Sequence, residues 1–201
     1  MMTLRRLSFA AVAAAALAHP ALAADTWVVD KTHSEASFQV RHMMVSKVRG
    51  YFTDFGGTIQ LDRAKPEAST VEFTVKTPSI STANEKRDAH LRSADFFEVE
   101  KHPEMSFKST RIKAVGKDKY EVTGNFTLKG VTKEITVPVN FLGFSPNNEK
   151  AGFETTFAIN RKDYGLLWNK DLDGGGYVLG DDVTISVAIE AAKKKETAAA
   201  Q

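Results

Sequence analysis

The chain contains no cysteine among its 201 residues. Disulfide bridges and cysteine-ligated zinc sites are therefore excluded, and the fold has to be stabilised by packing and hydrogen bonding. Long apolar runs are equally scarce. The longest, residues 7–18, is about half the roughly 20 residues that a membrane-spanning helix needs. An excess of charge of one sign is also lacking, since 27 basic residues stand against 25 acidic ones.

The first 23 residues have the pattern of an export signal. Arg5 and Arg6 precede the apolar run, and Ala21-Leu22-Ala23 supplies the small residues of a cleavage site. We expect cleavage after Ala23, with a buried N-terminal helix as the alternative. No cysteine follows that position, so a stable membrane anchor is not expected. Cleavage removes two arginines and no acid, which lowers the formal net charge from +2 to zero and disfavours nucleic acid as a partner.

Most of the remaining sequence alternates apolar and polar residues with a period of two, which is typical of strands with one buried face. In 34–41, for example, Ala36, Phe38 and Val40 alternate with polar residues. The same pattern recurs in 71–77, 105–109, 120–128, 135–141, 153–159 and 183–189, and further strands are expected within 27–30 and 48–61. About nine one-sided segments favour an antiparallel sandwich or a closed barrel over a parallel α/β fold.

One segment has helical signals. Thr82 and Glu85 match a capping box, and Asp88 and Arg92 have the spacing of an i, i+4 ion pair. We therefore predict a short helix or 3₁₀ turns over 84–92, crossing one end of the barrel. The Ala- and Lys-rich segment 191–201 has no stop signal, and we predict that it is a flexible tail.

Motifs for catalysis or metal binding are weak. His33 and His42 are an odd number of positions apart, so on one regular strand they would face opposite sides. Residues 171–176 resemble the start of a calcium loop, but Gly175 and Asp182 stand where an oxygen ligand and a glutamate are required. A flexible loop is the favoured interpretation. No G-x-S-x-G nucleophile motif is present. We expect no enzyme activity, no cofactor and no metal.

Phenylalanine is abundant, with 13 residues. Most lie on faces predicted to point inward: Phe38, Phe73, Phe107, Phe126, Phe141, Phe153 and Phe157. A closed barrel of about eight strands is either filled by its own side chains or holds one ligand. Periodicity does not distinguish a solid core from a cavity wall.

Several motifs, in order along the chain, resemble the YceI-like family. They are His33-Ser34-x-Ala36-x-Phe38, Val48-Arg49-Gly50-Tyr51-Phe52 with Phe55-Gly56-Gly57, Arg87-Asp88-x-His90-Leu91-x-Ser93-x-Asp95-Phe96-Phe97, His102-Pro103-x-Met105-x-Phe107, Leu128-Lys129-Gly130-Val131-Thr132-Lys133 and Asn160-Arg161-Lys162-Asp163-Tyr164-Gly165. The resemblance covers about residues 25–190. It implies an exported periplasmic protein of the all-β class, with an antiparallel eight-stranded lipocalin-like β-barrel and one short helix over 24–190. Homodimers are frequent in the family.

The resemblance further implies a long hydrophobic cavity that holds a polyisoprenoid lipid, such as an isoprenoid quinone or a prenyl pyrophosphate. We predict that the protein is a carrier or reservoir for such a lipid. The predicted tail-binding residues are Phe38, Val40, Phe73, Val75, Phe107, Phe126, Phe141 and Phe157. Two other functions stay open, a solid-core interaction module and an enzyme acting on a bound lipid.

The lipid head group is predicted to lie near the short helix. Arg87 can donate two parallel hydrogen bonds to phosphate oxygens, with Asn84 and His90 assisting and the helix N-terminus favouring an anion. Arg41, at the end of an inward-facing strand, is a second candidate. The alternative role for Arg87 is a structural ion pair with Asp88.

Overall fold

A computed structural model describes residues 24–195. The described chain is mostly β-strand, with one α-helix. The strands are β1 (Asp25–Val29), β2 (Glu35–His42), β3 (Ser46–Phe52), β4 (Phe55–Leu61), β5 (Thr70–Lys76), β6 (Ile80–Ser81), β7 (Glu104–Gly116), β8 (Lys119–Leu128), β9 (Val131–Phe144), β10 (Lys150–Asn160) and β11 (Leu179–Lys193), and the helix is α1 (Glu85–Arg92). Short 3₁₀ helices lie at Lys31–His33, Pro66–Ala68, Thr77–Ser79 and Arg161–Tyr164. The predicted signal segment 1–23 lies outside the described residues.

The strands close into one antiparallel barrel. Both β1 and β2 pair with β11, so they form one wall interrupted by the 3₁₀ helix Lys31–His33. Similarly, β3 and β4 form the next wall and β5 and β6 the third. With β7 to β11 these give eight walls in sequence order, and the last pairs with the first. The predicted eight-stranded antiparallel barrel with one short helix is confirmed.

The two ends of the barrel differ. We call the end where Asp25 pairs with Leu61 the terminal end, because β1 begins and β11 finishes there. The other end, where His42 pairs with Leu179, is the helix end. There α1 lies between β6 and β7, and the loop 165–178 joins β10 to β11. The strands therefore carry side chains from one end to the other, with alternate residues facing the interior.

Register brings the phenylalanines into neighbouring positions on the inner wall. Phe73 pairs with Phe107, and Phe107 pairs with Phe126 on the next strand. On the opposite side Ile185 lies between Phe38 and Phe157. The alternation that predicted these strands from sequence therefore also assigned their inward faces correctly.

The start of α1 differs from the capping-box prediction. Asn84, not Thr82, is the N-cap, and its side-chain oxygen accepts a hydrogen bond from Arg87 N at 3.0 Å. Asp88 is buried and accepts from the backbone N–H of Thr82 at 2.9 Å. The predicted ion pair of Asp88 with Arg92 is therefore wrong. Arg92 instead donates to the carbonyls of Pro78 and Ile80, so both side chains fasten the helix to β6 or to residues that flank it.

The last strand extends beyond the predicted domain limit at residue 190. β11 runs to Lys193, and Ala191 is fully buried beside Trp27. Lys193 Nζ lies 2.8 Å from Asp25 Oδ1, and Lys194 N donates to Thr26 O. The prediction of a flexible tail from 191 is wrong for these first residues, because they close the barrel against β1. Residues 196–201 lie outside the described part of the chain.

Candidate ligand-binding site

A cavity of about 470 Å³ lies inside the barrel. This volume is within the roughly 300–1,000 Å³ typical of small-molecule sites. Its wall reaches from Phe141 and Phe144 near the terminal end to His90, Trp168 and Leu179 at the helix end. Aliphatic and aromatic side chains from every wall of the barrel make up most of the lining. The interior is therefore not a solid core.

Two glycines lie against aromatic rings of the cavity wall. A Cβ built on Gly50 would lie 2.5 Å from the ring of Phe38, and one on Gly124 would lie 2.5 Å from the carbonyl oxygen of Lys108 and 2.6 Å from the ring of Phe107. Atoms do not approach so closely without displacement, so a larger residue at either position would displace these neighbours. The glycines thus make room for the rings of Phe38 and Phe107.

The predicted tail-binding residues all line the cavity. They are Phe38, Val40, Phe73, Val75, Phe107, Phe126, Phe141 and Phe157. The structure adds aromatic residues that the period-two pattern did not single out, including Phe96, Phe97 and Trp168. These lie on the segments after α1 and after β10, which have no strand periodicity. All of these residues line the cavity, and their binding of a ligand stays a prediction.

The terminal end is covered by an aromatic cluster. Trp27 is fully buried, and its ring centroid is 5.5 Å from that of Phe144. The guanidinium carbon of Arg63 lies 3.8 Å from the Phe144 centroid, a cation–π distance. Asp62 accepts hydrogen bonds from the backbone N–H groups of Ala64 and Lys65. Arg63 and Asp62 are thus engaged by the protein itself, whereas within residues 24–195 the buried Nε1 of Trp27 has no hydrogen-bond partner.

The helix end is bordered by polar and aromatic groups. His90 lies edge-on against both Phe96 and Trp168, with centroid separations of 5.0 Å. Its Nε2 is 2.7 Å from Asp95 Oδ2. Arg87 donates from Nε and Nη2 to the hydroxyl and carbonyl of Thr82, and it does not pair with Asp88. Both His90 and Arg87 line the cavity.

Two predicted head-group residues are not at the cavity. The Asn84 side chain is used as the cap of α1, and the residue is exposed. Arg41 is exposed on the outer face of β2, and its Nη1 donates to Met44 O at 2.9 Å. Since Val40 lines the cavity, its neighbour Arg41 has to point outward by the alternation of the strand. Of the four predicted head-group residues, the structure therefore brings Arg87 and His90 to the helix end of the cavity.

Arg161 is a buried cation that periodicity missed. Only 2% of the residue is exposed, yet it lies in a 3₁₀ turn at the cavity wall. Its guanidinium donates to the carbonyls of Gly180, Leu166 and Trp168, and Nη2 lies 3.4 Å from Asp181 Oδ1. Burial lowers the pKa of Arg161 from its ordinary value, while Asp181 acts in the opposite direction. Arg161 thus fixes the loop that carries Trp168.

One group of potential metal ligands lies away from the cavity wall. Ligand atoms of Asp30, His33 and Glu190 are within 4.8 Å of one another. Lys150 Nζ already lies among them, 2.7 Å from Asp30 Oδ2 and 3.0 Å from Glu190 Oε1. Hydrogen bonds from Lys150 and His33 hold the pKa of the Asp30 carboxyl far below its ordinary value. These charges form an ion-pair network at the seam where the barrel closes.

The fold and the cavity define a lipocalin-like class of protein, a closed antiparallel barrel around an apolar chamber. The chain belongs to the YceI family, since the model described as "YceI-like domain" matches residues 27–191. It is 41% identical over 157 residues to a UPF0312 protein of Azotobacter vinelandii, covering 76% of this chain and 80% of that protein. No helix within residues 24–195 combines the length and apolar character needed to span a bilayer.

Solved structures share the fold. Burkholderia cenocepacia BcnA superposes with a TM-score of 0.74 at 24% identity, over 82% of this chain and 99% of that chain. A polyisoprenoid binding domain from Saccharophagus degradans, described as implicated in plant cell wall breakdown, has a TM-score of 0.66 at 16% identity. The match covers 85% of this chain and 99% of that chain. Identities this low establish the architecture alone.

Proposed function

We propose that the protein binds an amphiphilic lipid with a polyisoprenoid tail inside the barrel, as a carrier or reservoir in the periplasm. The apolar cavity running from Phe141 to Trp168 is the observation on which this depends. The likeness to a domain named for polyisoprenoid binding supports the choice of tail. An isoprenoid quinone and a prenyl pyrophosphate both satisfy the description. Export and homodimerisation remain predictions from the sequence.

The energetics of such a complex are favourable. Each buried CH₂ group contributes roughly 0.8 kcal/mol. Association costs about 4–15 kcal/mol in lost freedom, so a tail of several isoprene units is enough to give net binding. Because the apolar wall already surrounds a cavity, little reorganisation of the protein is needed. Length and shape of the tail then determine selectivity.

The head group is proposed to sit at the helix end. Arg87 donates hydrogen bonds from Nε and Nη2 to Thr82, and its Nη1 has no protein partner among the described residues. One ring nitrogen of His90 lies within hydrogen-bond distance of Asp95, and the ring packs against Trp168 at the cavity wall. A pyrophosphate or quinone oxygen placed here would meet a cation and an imidazole, with the tail directed toward Phe141.

Among the alternatives, binding fits better than catalysis or a solid core. A module with a filled interior does not need a chamber of about 470 Å³. An enzyme would need a polar cluster with perturbed pKa values inside the chamber. Of the described lining residues, Arg161 has a pKa that burial lowers from its ordinary value, but its donors are already bound to backbone carbonyls.

The head-group assignment is tested by replacing Arg87 with alanine. We expect Arg87→Ala to weaken binding of farnesyl pyrophosphate by about tenfold, because a charge-assisted contact is lost, while binding of the uncharged farnesol changes little. Isothermal titration calorimetry measures both. Arg41→Ala is the matched control, since that arginine lies outside the barrel. Equal loss in both variants, or no loss in Arg87→Ala, would remove Arg87 from this role. Failure of the unmodified protein to bind either ligand would contradict the proposed function.

A further inference from the structure

Exposed apolar side chains concentrate at the β2–β3 turn. Met43, Met44 and Val45 follow one another and are 45%, 47% and 88% exposed. Two more exposed apolar residues, Leu167 and Tyr177, lie on the loop 165–178 at the same end of the barrel. We call Met43–Val45 the apolar tip. Contiguous exposed apolar surface of this kind marks an interaction site more often than chance scatter does.

The tip is held in an unfavourable backbone conformation. Met43 and Met44 have φ values of +48° and +64°, and Val45 N donates to His42 O across the turn. Two consecutive positive φ angles are typical of a type I′ hairpin turn, where Asn-Gly is preferred. Side chains larger than glycine are disfavoured in this region. The sequence thus places two flexible apolar side chains at a site where local stability favours small polar ones.

The tip adjoins the helix end of the cavity. His42 and Val48, on either side of the turn, both line the chamber. Met43 N donates to Val178 O at 2.8 Å, and Val178 is also a lining residue. Met44 Sδ lies directly against Gly176, where a Cβ would overlap it. Whatever contacts the apolar tip is therefore close to the helix end of the cavity, which is the mouth for the lipid under the proposed function.

The outer face of the same hairpin is basic. Arg41 and Lys47 are cross-strand neighbours, and Arg49 and Tyr51 follow on β3, all pointing away from the cavity. Within residues 24–195, none of these three cations lies in an ion pair. Asp181 and Asp182 border the same surface recess as Arg41 and Lys47. Asp181 is already paired with Arg161 and Lys162, so among the described residues Asp182 is the one acid of this recess left to offset the three cations. An apolar tip flanked by unpaired cations and a tyrosine matches the interface of an anionic bilayer.

We propose that the β2–β3 hairpin docks the protein on the surface of an anionic phospholipid bilayer, with the apolar tip inserted at headgroup depth and Arg41, Lys47 and Arg49 near the phosphates. This rests on the proposed function, because docking here would present the mouth of the cavity to the source of the lipid. The contact is reversible and does not span the membrane. It gives the lipid a path from bilayer to barrel without full exposure to water.

The test uses the double variant Met43→Asn/Met44→Gly. It removes the apolar tip but installs the residues that the turn geometry prefers, so the melting temperature is expected to stay equal or rise. Co-sedimentation with phosphatidylglycerol/phosphatidylcholine vesicles is expected to fall by about tenfold in affinity. Leu142→Ser is the matched control, since Leu142 is 61% exposed on the outer wall of β9. That variant is expected to bind vesicles like the unmodified protein.

A second variant separates charge from apolar contact. Lys47→Glu/Arg49→Glu is expected to lose most of its binding to the anionic vesicles, with little change on pure phosphatidylcholine. Unchanged vesicle binding in both double variants would overturn the docking proposal, as would no binding by the unmodified protein. A change confined to self-association, seen by sedimentation velocity, would overturn it in favour of a second copy of the chain. Farnesyl pyrophosphate titration without vesicles isolates the proposed function, since the hairpin variants are expected to retain that affinity.

Discussion

The two ends of the barrel use arginine in opposite ways. At the terminal end Arg63 lies over Phe144 and the fully buried Trp27, so the cation covers an aromatic cluster. At the helix end Arg161 is buried under the loop 165–178, whereas Arg87 lies at the cavity wall with donor capacity remaining. The arginine at the terminal end is thus committed to an aromatic cluster, whereas among the described residues one arginine at the helix end keeps a free donor. Under the proposed function, the lipid head group lies at the helix end and the tail extends toward the terminal end.

The largest expected effect is on the free energy of unfolding, which Arg161→Leu lowers far more than Arg63→Leu does. Arg161→Leu leaves the carbonyls of Gly180, Leu166 and Trp168 without their donor, which costs about 3 kcal/mol of unfolding free energy. Arg63→Leu loses a half-exposed cation–π contact, worth less than about 1 kcal/mol. Urea denaturation of both variants measures the difference. Equal destabilisation would show that the two ends are anchored alike.

Filling the chamber between the two ends is expected to abolish tail binding. Val187 lines the cavity midway along β11, and Val187→Trp would place a large ring in the space meant for the lipid. We expect about a hundredfold loss of farnesol affinity, with the fold retained. Ala188→Trp, one residue further and on the exposed outer face, is the control. Full affinity in Val187→Trp would mean that the ligand does not occupy the chamber.

The smallest effect concerns the seam of the barrel and depends on pH. Lys150 and His33 hold the pKa of Asp30 below its unfolded value, so the ionised carboxylate stabilises the folded state at neutral pH. That contribution is lost as the pH falls below about 4, where the unfolded chain takes up the proton first. Asp30→Asn is therefore expected to lower the melting temperature at pH 7, with the difference shrinking toward pH 3. A constant difference would contradict the assignment.

Sequence alternation predicted the strands and the inner wall because both depend on neighbouring residues along one strand. Phe73, Phe107 and Phe126 illustrate this, since each was assigned inward and register then aligned them. The same rule should have excluded Arg41, which follows the inward Val40. Residues in irregular segments had no period to reveal them, as with Arg161 and Trp168. Asn84 and Thr82 both suit a helix cap, and only the buried contacts of Asp88 decided between them.

Whether the barrel is hollow could not be predicted from periodicity, because a filled and an empty interior have the same alternating pattern. The space left for each ring depends on pairs such as Gly50 with Phe38, which are distant in sequence and meet only across strands. The family resemblance supplied the expectation of a cavity, and the structure contains one.

Native mass spectrometry of the protein purified from its host tests lipid binding most directly. We expect a peak heavier than that of the protein alone, a mass excess that organic extraction recovers as a polyisoprenoid lipid, and loss of that peak in Val187→Trp. A protein that carries no retained lipid and takes up no farnesol or farnesyl pyrophosphate would contradict lipid binding inside the barrel.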